Sequence, residues 1–342
     1  RRLEPNAIPL DFARWSTDGT EWHEAEPVLA LYTRWCSEPY DGPLWLEYSF
    51  DAELLPKVCG VAVEQPHIYN SISINGHELS FVNAGHYIDH TFRTADIARY
   101  LQQGTNRILL QLDNVSARRT SSDAIERYGS EIETIYIYGD FGVKSALAAE
   151  QPTASWRNRR PILPQKPLPA SFAHGSFSLS SEPDSVGRNI TLEGYPFYAG
   201  AVELSRRFVV PAAGGNGRVL LDFRGTEAIV INVSVNGVEM PPVYSSPWQC
   251  DITDALCDGG NDLKVTLVGS LRNLMGPYHN AGAEFCGVGP ATFTGADDWP
   301  QEEKGDALWY EARKGGKALL WRDNYYCIPF GIMQSPRILV QR

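Results

Sequence analysis

The chain has 342 residues, of which 43% are hydrophobic and 21% charged, and its 41 acidic against 30 basic side chains leave a formal net charge of −11. Such a chain can bury an ordinary globular core and has no compositional mark of disorder. No run approaches the roughly 18 apolar residues of a membrane-crossing helix, and the negative field repels polyanions, which excludes DNA, RNA and a membrane span as first expectations.

In chain order, the sequence starts Arg1-Arg2-Leu3 rather than with Met, and is expected to be a piece of a longer polypeptide. Period-two alternation of Val, Ile, Leu, Tyr and Phe then recurs between clusters of Gly, Pro, Asn and Asp, the pattern of β-strands and turns. Sustained helical periodicity is scarce, and short helical turns are expected near Asp96 to Gln102 and Asp251 to Leu256. The Pro-rich segment 151–170 carries Pro152, Pro161, Pro164, Pro167 and Pro169 and reads as a linker. Its basic residues Arg157, Arg159 and Arg160 belong to that solvated stretch. Later, Ile229, Ile231, Val233 and Val235 are expected on one strand face, and Leu263, Val265 and Leu267 on another.

The order of these elements occurs twice. Asn70-Ser-Ile-Ser-Ile-Asn75-Gly76, a loop, Asp96-Ile97 and Gly104-Thr-Asn106 precede an apolar strand, as do Ile231-Asn-Val-Ser-Val-Asn236-Gly237, a loop, Asp251-Ile252-Thr253 and Gly260-Asn261. Asn75 and Asn236 are 161 residues apart and Asn106 and Asn261 are 155 apart, so the length change falls in the intervening loop. A repeat of this length means duplicated domains rather than a solenoid. Asn-Gly after an alternating strand predicts a type I′ hairpin, because both turn residues accept positive φ. The expected fold is all-β, two tandem jelly-roll sandwiches, with a first sandwich and N-terminal extension over 1–150, a linker over 151–170, a second sandwich over 171–342, and a boundary near residue 160.

Motifs for chemistry are sparse. Six cysteines (Cys36, Cys59, Cys250, Cys257, Cys286, Cys327) form no C-x-x-C; Cys59 is expected as a buried thiol, while a Cys250–Cys257 bridge stays open. His86 and His90 would share a helix face, but on a strand this spacing separates them by about 13 Å, so no metal is expected there. Glu131, Glu133, Glu193 and Glu284 are carboxylates near the motifs below, read as structural or surface groups rather than a catalytic pair. Gly269-Ser270 lacks the second glycine of a nucleophile elbow, and Gly287 and Gly289 lack the third of a dinucleotide fingerprint.

Several segments carry a family resemblance. Gly194-Tyr-Pro-Phe-Tyr-Ala-Gly200 leading to Arg206-Arg-Phe208, with Val235-Asn236-Gly237, Asp251-Ile252-Thr253 and Gly260-Asn261, resembles the sugar-binding, galactose-binding-like domain of glycoside hydrolase family 2. Pro5-Asn6-Ala-Ile-Pro-Leu-Asp11, Glu133-Thr-Ile-Tyr-Ile-Tyr-Gly139-Asp140-Phe141-Gly142-Val143, Asn273-Leu-Met-Gly276-Pro277-Tyr-His279-Asn280 and Tyr326-Cys-Ile-Pro329-Phe330-Gly331 are similar to the C-terminal region of large bacterial glycosidases such as family 106 α-L-rhamnosidases. The resemblance implies non-catalytic accessory modules of a bacterial glycoside hydrolase, whose partners are a glycan or glycoside and an upstream catalytic domain of the same polypeptide. It implies no cofactor, although a structural calcium occurs in some sandwiches of this type, and it leaves the compartment open.

A sugar stacks its C–H face on aromatic rings and offers hydroxyls to planar polar groups. On that chemistry the candidate carbohydrate-binding residues are Tyr87, Tyr195, Tyr198, Trp248, Tyr278 and Trp299, with Arg272 and Asn280 as polar partners. Specificity is expected in the loops 77–93 and 238–250. Two alternatives remain: modules that only pack against a catalytic barrel, and a fragment that contributes residues to glycosidic bond hydrolysis.

Overall fold

The computed structural model describes residues 1–37, 40, 42–82, 84–113, 132–149, 169–210, 217–276, 278–279 and 323–341. Its elements are overwhelmingly β-strands, and apart from one parallel pair the strand ladders are antiparallel. Strands win because the apolar residues alternate. Along Pro43–Ala52, Leu44, Leu46, Tyr48, Phe50 and Ala52 are buried while the intervening side chains are not.

In the first half, one sheet runs Asn6–Leu10, Ile135–Gly139, Cys59–Glu64, Asp89–Asp96, His86–Tyr87. The facing sheet runs Gly142–Lys144, Ser178–Ser180, Pro43–Ala52, Gly104–Asp113, Ser71–Ile74, His77–Glu78, with Phe12–Ser16 also on Pro43–Ala52. Ser178–Ser180 against Pro43–Ala52 is the parallel pair. Inward residues of both sheets, among them Ile8, Val61, Ile137, Leu46, Tyr48 and Leu110, form one continuous core.

The second half repeats the strand order. Ala201–Val209, Gly260–Val268, Val230–Val235 and Val238–Glu239 reproduce Pro43–Ala52, Gly104–Asp113, Ser71–Ile74 and His77–Glu78. Gln249–Asp251, Arg218–Asp222 and Arg337–Gln341 reproduce Asp89–Asp96, Cys59–Glu64 and Ile135–Gly139. Ile231, Val233, Val235, Val265 and Leu267 lie in a second core, as the alternation predicts, whereas Ile229 precedes its strand and is exposed.

The repeated Asn-Gly pairs are turns of the expected kind. Asn75 and Asn236 have φ of 49° and 54°, and Gly76 and Gly237 follow at 82° and 81°. Their side chains do more than tolerate the turn. Asn75 Nδ2 donates to Tyr100 O and to Asn106 Oδ1, both at 2.9 Å, while its Oδ1 accepts from Arg107 N at 3.0 Å. Asn236 Nδ2 donates to Ala255 O and Asn261 Oδ1, both at 2.8 Å, and its Oδ1 accepts from Asp262 N at 2.9 Å. Buried Asn106 and Asn261 in turn close the loops before their strands, through Gln102 and Gly104 in one copy and Cys257 and Gly259 in the other.

The short turns expected after Asp96 and Asp251 are 3₁₀ helices, Ala98–Tyr100 and Thr253–Ala255, each entered by an aspartate accepting from a backbone N–H two residues on. The longest helix among the described residues, Val28–Ser37, is not one of the short helical turns expected from the sequence. Val28, Leu31 and Trp35 are buried on the first core, the i, i+3, i+7 stripe of an amphipathic helix, too brief to stand out among alternating neighbours.

Cys59, Cys250, Cys257 and Cys327 are free thiols, so Cys250 and Cys257 do not bridge. Cys59 is buried as expected, and burial pushes its thiol up to about 12. The side chains of Cys36 and Cys286, the basic trio Arg157, Arg159 and Arg160, and the Pro-rich stretch up to residue 168 lie outside the described residues. Just after that stretch, Ala170–Phe172 pairs with Tyr325–Cys327, and Ser178–Ser180 joins the first half's sheet.

Two outcomes are expected. Asn106→Ala or Asn261→Ala strips a buried amide from partners that then lack a hydrogen bond, so each lowers unfolding free energy by about 2–3 kcal/mol in urea titrations. The second concerns acid. Hydrogen bonds from Arg224, opposed by burial and aided by Arg337, hold the Asp222 carboxyl down to about 2. A depressed carboxyl stabilises the fold above its ordinary value, about 3.9, and that contribution is lost as pH falls toward 2. Asp222→Asn is therefore expected to flatten the decline of the thermal midpoint between about pH 4 and 2.

Candidate functional site

The structure disperses the aromatic residues singled out from the sequence. Tyr195 and Tyr198 are buried in the second core with ring centroids 5.8 Å apart. Tyr195 bonds Glu182 through its hydroxyl at 3.2 Å. The Tyr198 hydroxyl donates to Ala201 O at 2.7 Å and accepts from the Leu3 and Glu4 N–H groups, and burial raises it to about 12. Tyr278 is buried in the first core, its hydroxyl donating to Leu274 O. Burial raises that phenol well above its ordinary value. Tyr87 is half-buried and stacks on Tyr138 at 4.7 Å on the outer face of the first sheet. Trp248, half-buried against the second core, ends its loop at φ 59°, as Ile88 does at φ 62° in the first copy. Arg272 opens the four-residue helix Arg272–Met275. Asn280 and Trp299 lie outside the described residues.

The other sequence candidates fall as follows. His86 and His90 are exposed on strands, and His90 Nδ1 lies 3.1 Å from Asp89. Among the described residues no three His, Cys, Asp or Glu side chains converge as metal ligands. Glu193 ends the 3₁₀ turn Ile190–Leu192, and Glu133 receives the Tyr48 hydroxyl on its carbonyl at 3.1 Å. Glu131 and Glu284 are outside the described residues.

The motifs that carry the family resemblance do meet. Asn6 Nδ2 donates to Phe141 O and Gly194 O, both at 3.0 Å, tying the N-terminal strand to both halves. Asn273 and Ile328 exchange two bonds at 2.8 Å, and Tyr326 N donates to Tyr278 O at 2.8 Å. At the centre, buried Asp11 faces His279 Nε2 at 2.8 Å and accepts the Tyr325 hydroxyl, while His279 Nδ1 lies 3.1 Å from Asn324 O. This polar cluster has little contact with water and clamps the segment after Gly260–Val268 onto the first half.

An open cleft of about 720 Å³ lies at one end of the first half. Four segments form it: the end of Pro43–Ala52, the turn 103–105, residues 144–146, and residues 175–178. Strand pairing places them together, because Gly104 stands opposite Ala52, Ser178 beside Asp51, and Lys144 opposite Ser178. The turn itself is set by Asn106, whose amide bonds Gln102 and Gly104.

Asp51 accepts from Thr105 Oγ1 at 2.7 Å, and Lys144 Nζ donates to Glu53 at 2.6 Å. Gln103 is exposed at the rim, and Phe177 supplies an aromatic wall whose inner side packs on Phe197 and Tyr325. The cleft thus offers carboxylate, amide, hydroxyl and ammonium groups together with half-buried Phe177. None of these residues was a sequence candidate. They come from four separated segments and no spacing joins them, although the repeated Gly104-Thr-Asn106 turn was visible.

His279→Ala is expected to remove one of Asp11's buried partners and to lower unfolding free energy by about 2–4 kcal/mol, measured by urea denaturation. His279→Gln, which keeps a donor near Asp11, is expected to recover part of that loss.

No protein-family model matches the chain, and no curated protein matches it. Solved structures similar to it include a rhamnosidase from Novosphingobium sp. PP1Y, at TM-score 0.26 and 15% identity, covering 89% of this chain and 23% of that one. The Streptomyces avermitilis α-L-rhamnosidase follows at TM-score 0.27 and 14% identity, covering 66% and 21%. The β-D-glucuronidase of Dictyoglomus thermophilum gives TM-score 0.30 and 12% identity over 67% and 36%. This chain spans between about a fifth and just over a third of those chains.

Proposed function

We propose that this chain is a non-catalytic accessory region of a bacterial glycoside hydrolase, two galactose-binding-like jelly-roll modules (residues 1–150 and 171–342) that contact a glycan and pack with a catalytic domain of the same polypeptide. The observation that supports the reading most is the lining of the cleft. Phe177 provides a ring for a sugar's C–H face, and Asp51, Glu53, Gln103 and Thr105 provide the planar and hydroxyl partners that sugar hydroxyls need. The ordered sequence motifs named above support the same reading.

The two carboxylates suit ligand contact better than hydrolysis. A glycosidase acid is kept protonated by apolar surroundings, whereas Asp51 and Glu53 are both exposed and already paired with Thr105 and Lys144. That same pairing favours a second reading, in which the modules are spacers, because part of the cleft's polar capacity is internally satisfied. Tyr87 and Trp248, half-buried in the two variable loops, are the alternative contact surface.

Titration calorimetry and a broad glycan array with the 342-residue chain test the proposal. Weak, selective binding is expected, reduced about tenfold by Asp51→Ala combined with Gln103→Ala and unchanged by Trp248→Ala. Binding lost with Trp248→Ala instead moves the contact to the loops. Silence across the panel leaves the spacer reading, and turnover of aryl glycosides by this chain alone defeats the non-catalytic assignment.

A further inference from the structure

Because the scaffold is duplicated, the seven second-half strands matched above have counterparts in the first half. In the first half Ile135–Gly139 lies between Cys59–Glu64 and Asn6–Leu10, so both its edges are bonded. Its counterpart Arg337–Gln341 is bonded to Arg218–Asp222 on one side and, among the described residues, to no strand on the other.

The side chains record the difference. Ile135 and Ile137 are 1% and 0% exposed, with Ile8 and Leu10 of the flanking strand in the same core. Ile338 and Val340 stand opposite Leu221 and Val219, which belong to the second core, and so share their face of the sheet. Yet they are 37% and 44% exposed. An open edge with apolar side chains is a template for another strand unless charge or a bulge blocks it. The charge on this strand, Arg337, sits at its first position and pairs with Asp222 at 3.1 Å, so Ile338 and Val340 have no charged residue between them.

We infer that Arg337–Gln341 is a self-association edge, at which two copies of this chain pair antiparallel about a twofold axis through Leu339. The five residues are complementary to themselves in that register. Leu339 meets its own copy, Ile338 meets Val340, and Arg337 meets Gln341, so no like charges are opposed. Both Ile338–Val340 pairs fall on the core-side face and extend the second core across the contact, and the patch is the same on both copies, as a closed dimer requires. Five residues per copy make a small interface, so association is weak and concentration-dependent. Each copy carries a formal charge of −11, so added salt screens the repulsion and strengthens the dimer.

Sedimentation of the 342-residue chain from about 5 to about 500 μM tests this, a range suited to a weak contact. The expected result is a reversible rise of the weight-average mass toward twice the monomer value, steeper at higher salt. Ile338→Lys with Val340→Lys is expected to abolish the rise, with a cooperative thermal transition measured alongside to show that the variant remains folded. In a Cys257→Ser background, which removes an exposed thiol, Leu339→Cys is expected to cross-link copy to copy through position 339, located by peptide mapping. A monomer at every concentration overturns the inference. So does a dimer that survives the double lysine variant or that gives no cross-link at position 339.

Discussion

The asparagine pair, half-buried Asn75 with buried Asn106 and again half-buried Asn236 with buried Asn261, is the constraint on which much of this molecule rests. Each pair joins a hairpin turn to the turn before the next long strand, and each amide satisfies backbone groups that would otherwise be buried without partners. With those two turns held, the register of the central strands follows, and a one-residue slip that would turn the apolar face outward is resisted. In the first half the same lock shapes the turn 103–105 and thereby one wall of the cleft.

Two like scaffolds have been put to unequal use. Among the described residues, the first half's next sheet strand after Gly104–Asp113 starts at Ile135, whereas the counterpart of that strand in the second half, after Gly260–Val268, starts at Arg337. Part of that longer passage returns to the first half, where Tyr278, His279 and Tyr325 surround Asp11 and Cys327 enters the first core. The N-terminal residues cross the other way: Leu3 and Glu4 bond Tyr198, and Arg2 pairs with Glu182 and Asp140. The halves exchange segments, so the family-like motifs sit at a structural junction rather than around the cleft.

That junction explains why aromatic candidates chosen by residue type fared as they did. Tyr195, Tyr198 and Tyr278 adjoin turn signals in the sequence, as a sugar platform would, but long-range packing covers their rings and engages their hydroxyls. Tyrosine is suited to such places because it combines a large apolar ring with a polar tip that finds a partner. Sequence position alone does not distinguish that use from an exposed ligand contact. The cleft residues had the opposite problem, being individually ordinary and significant only through strand pairing.

The order of amino acids alone dictates the local and periodic features: alternating strands, two Asn-Gly turns, the aspartate-led 3₁₀ turns, and the duplication that relates them. These depend on φ preference, side-chain period and short-range hydrogen bonds, which act within a few residues. Long-range packing settled the rest: which aromatic rings are covered, that Asp11 lies against His279, and that segments near residues 51, 104, 145 and 177 share a cleft. Those outcomes rest on contacts between residues tens to hundreds of positions apart, where strand order and burial, rather than local preference, choose the partner.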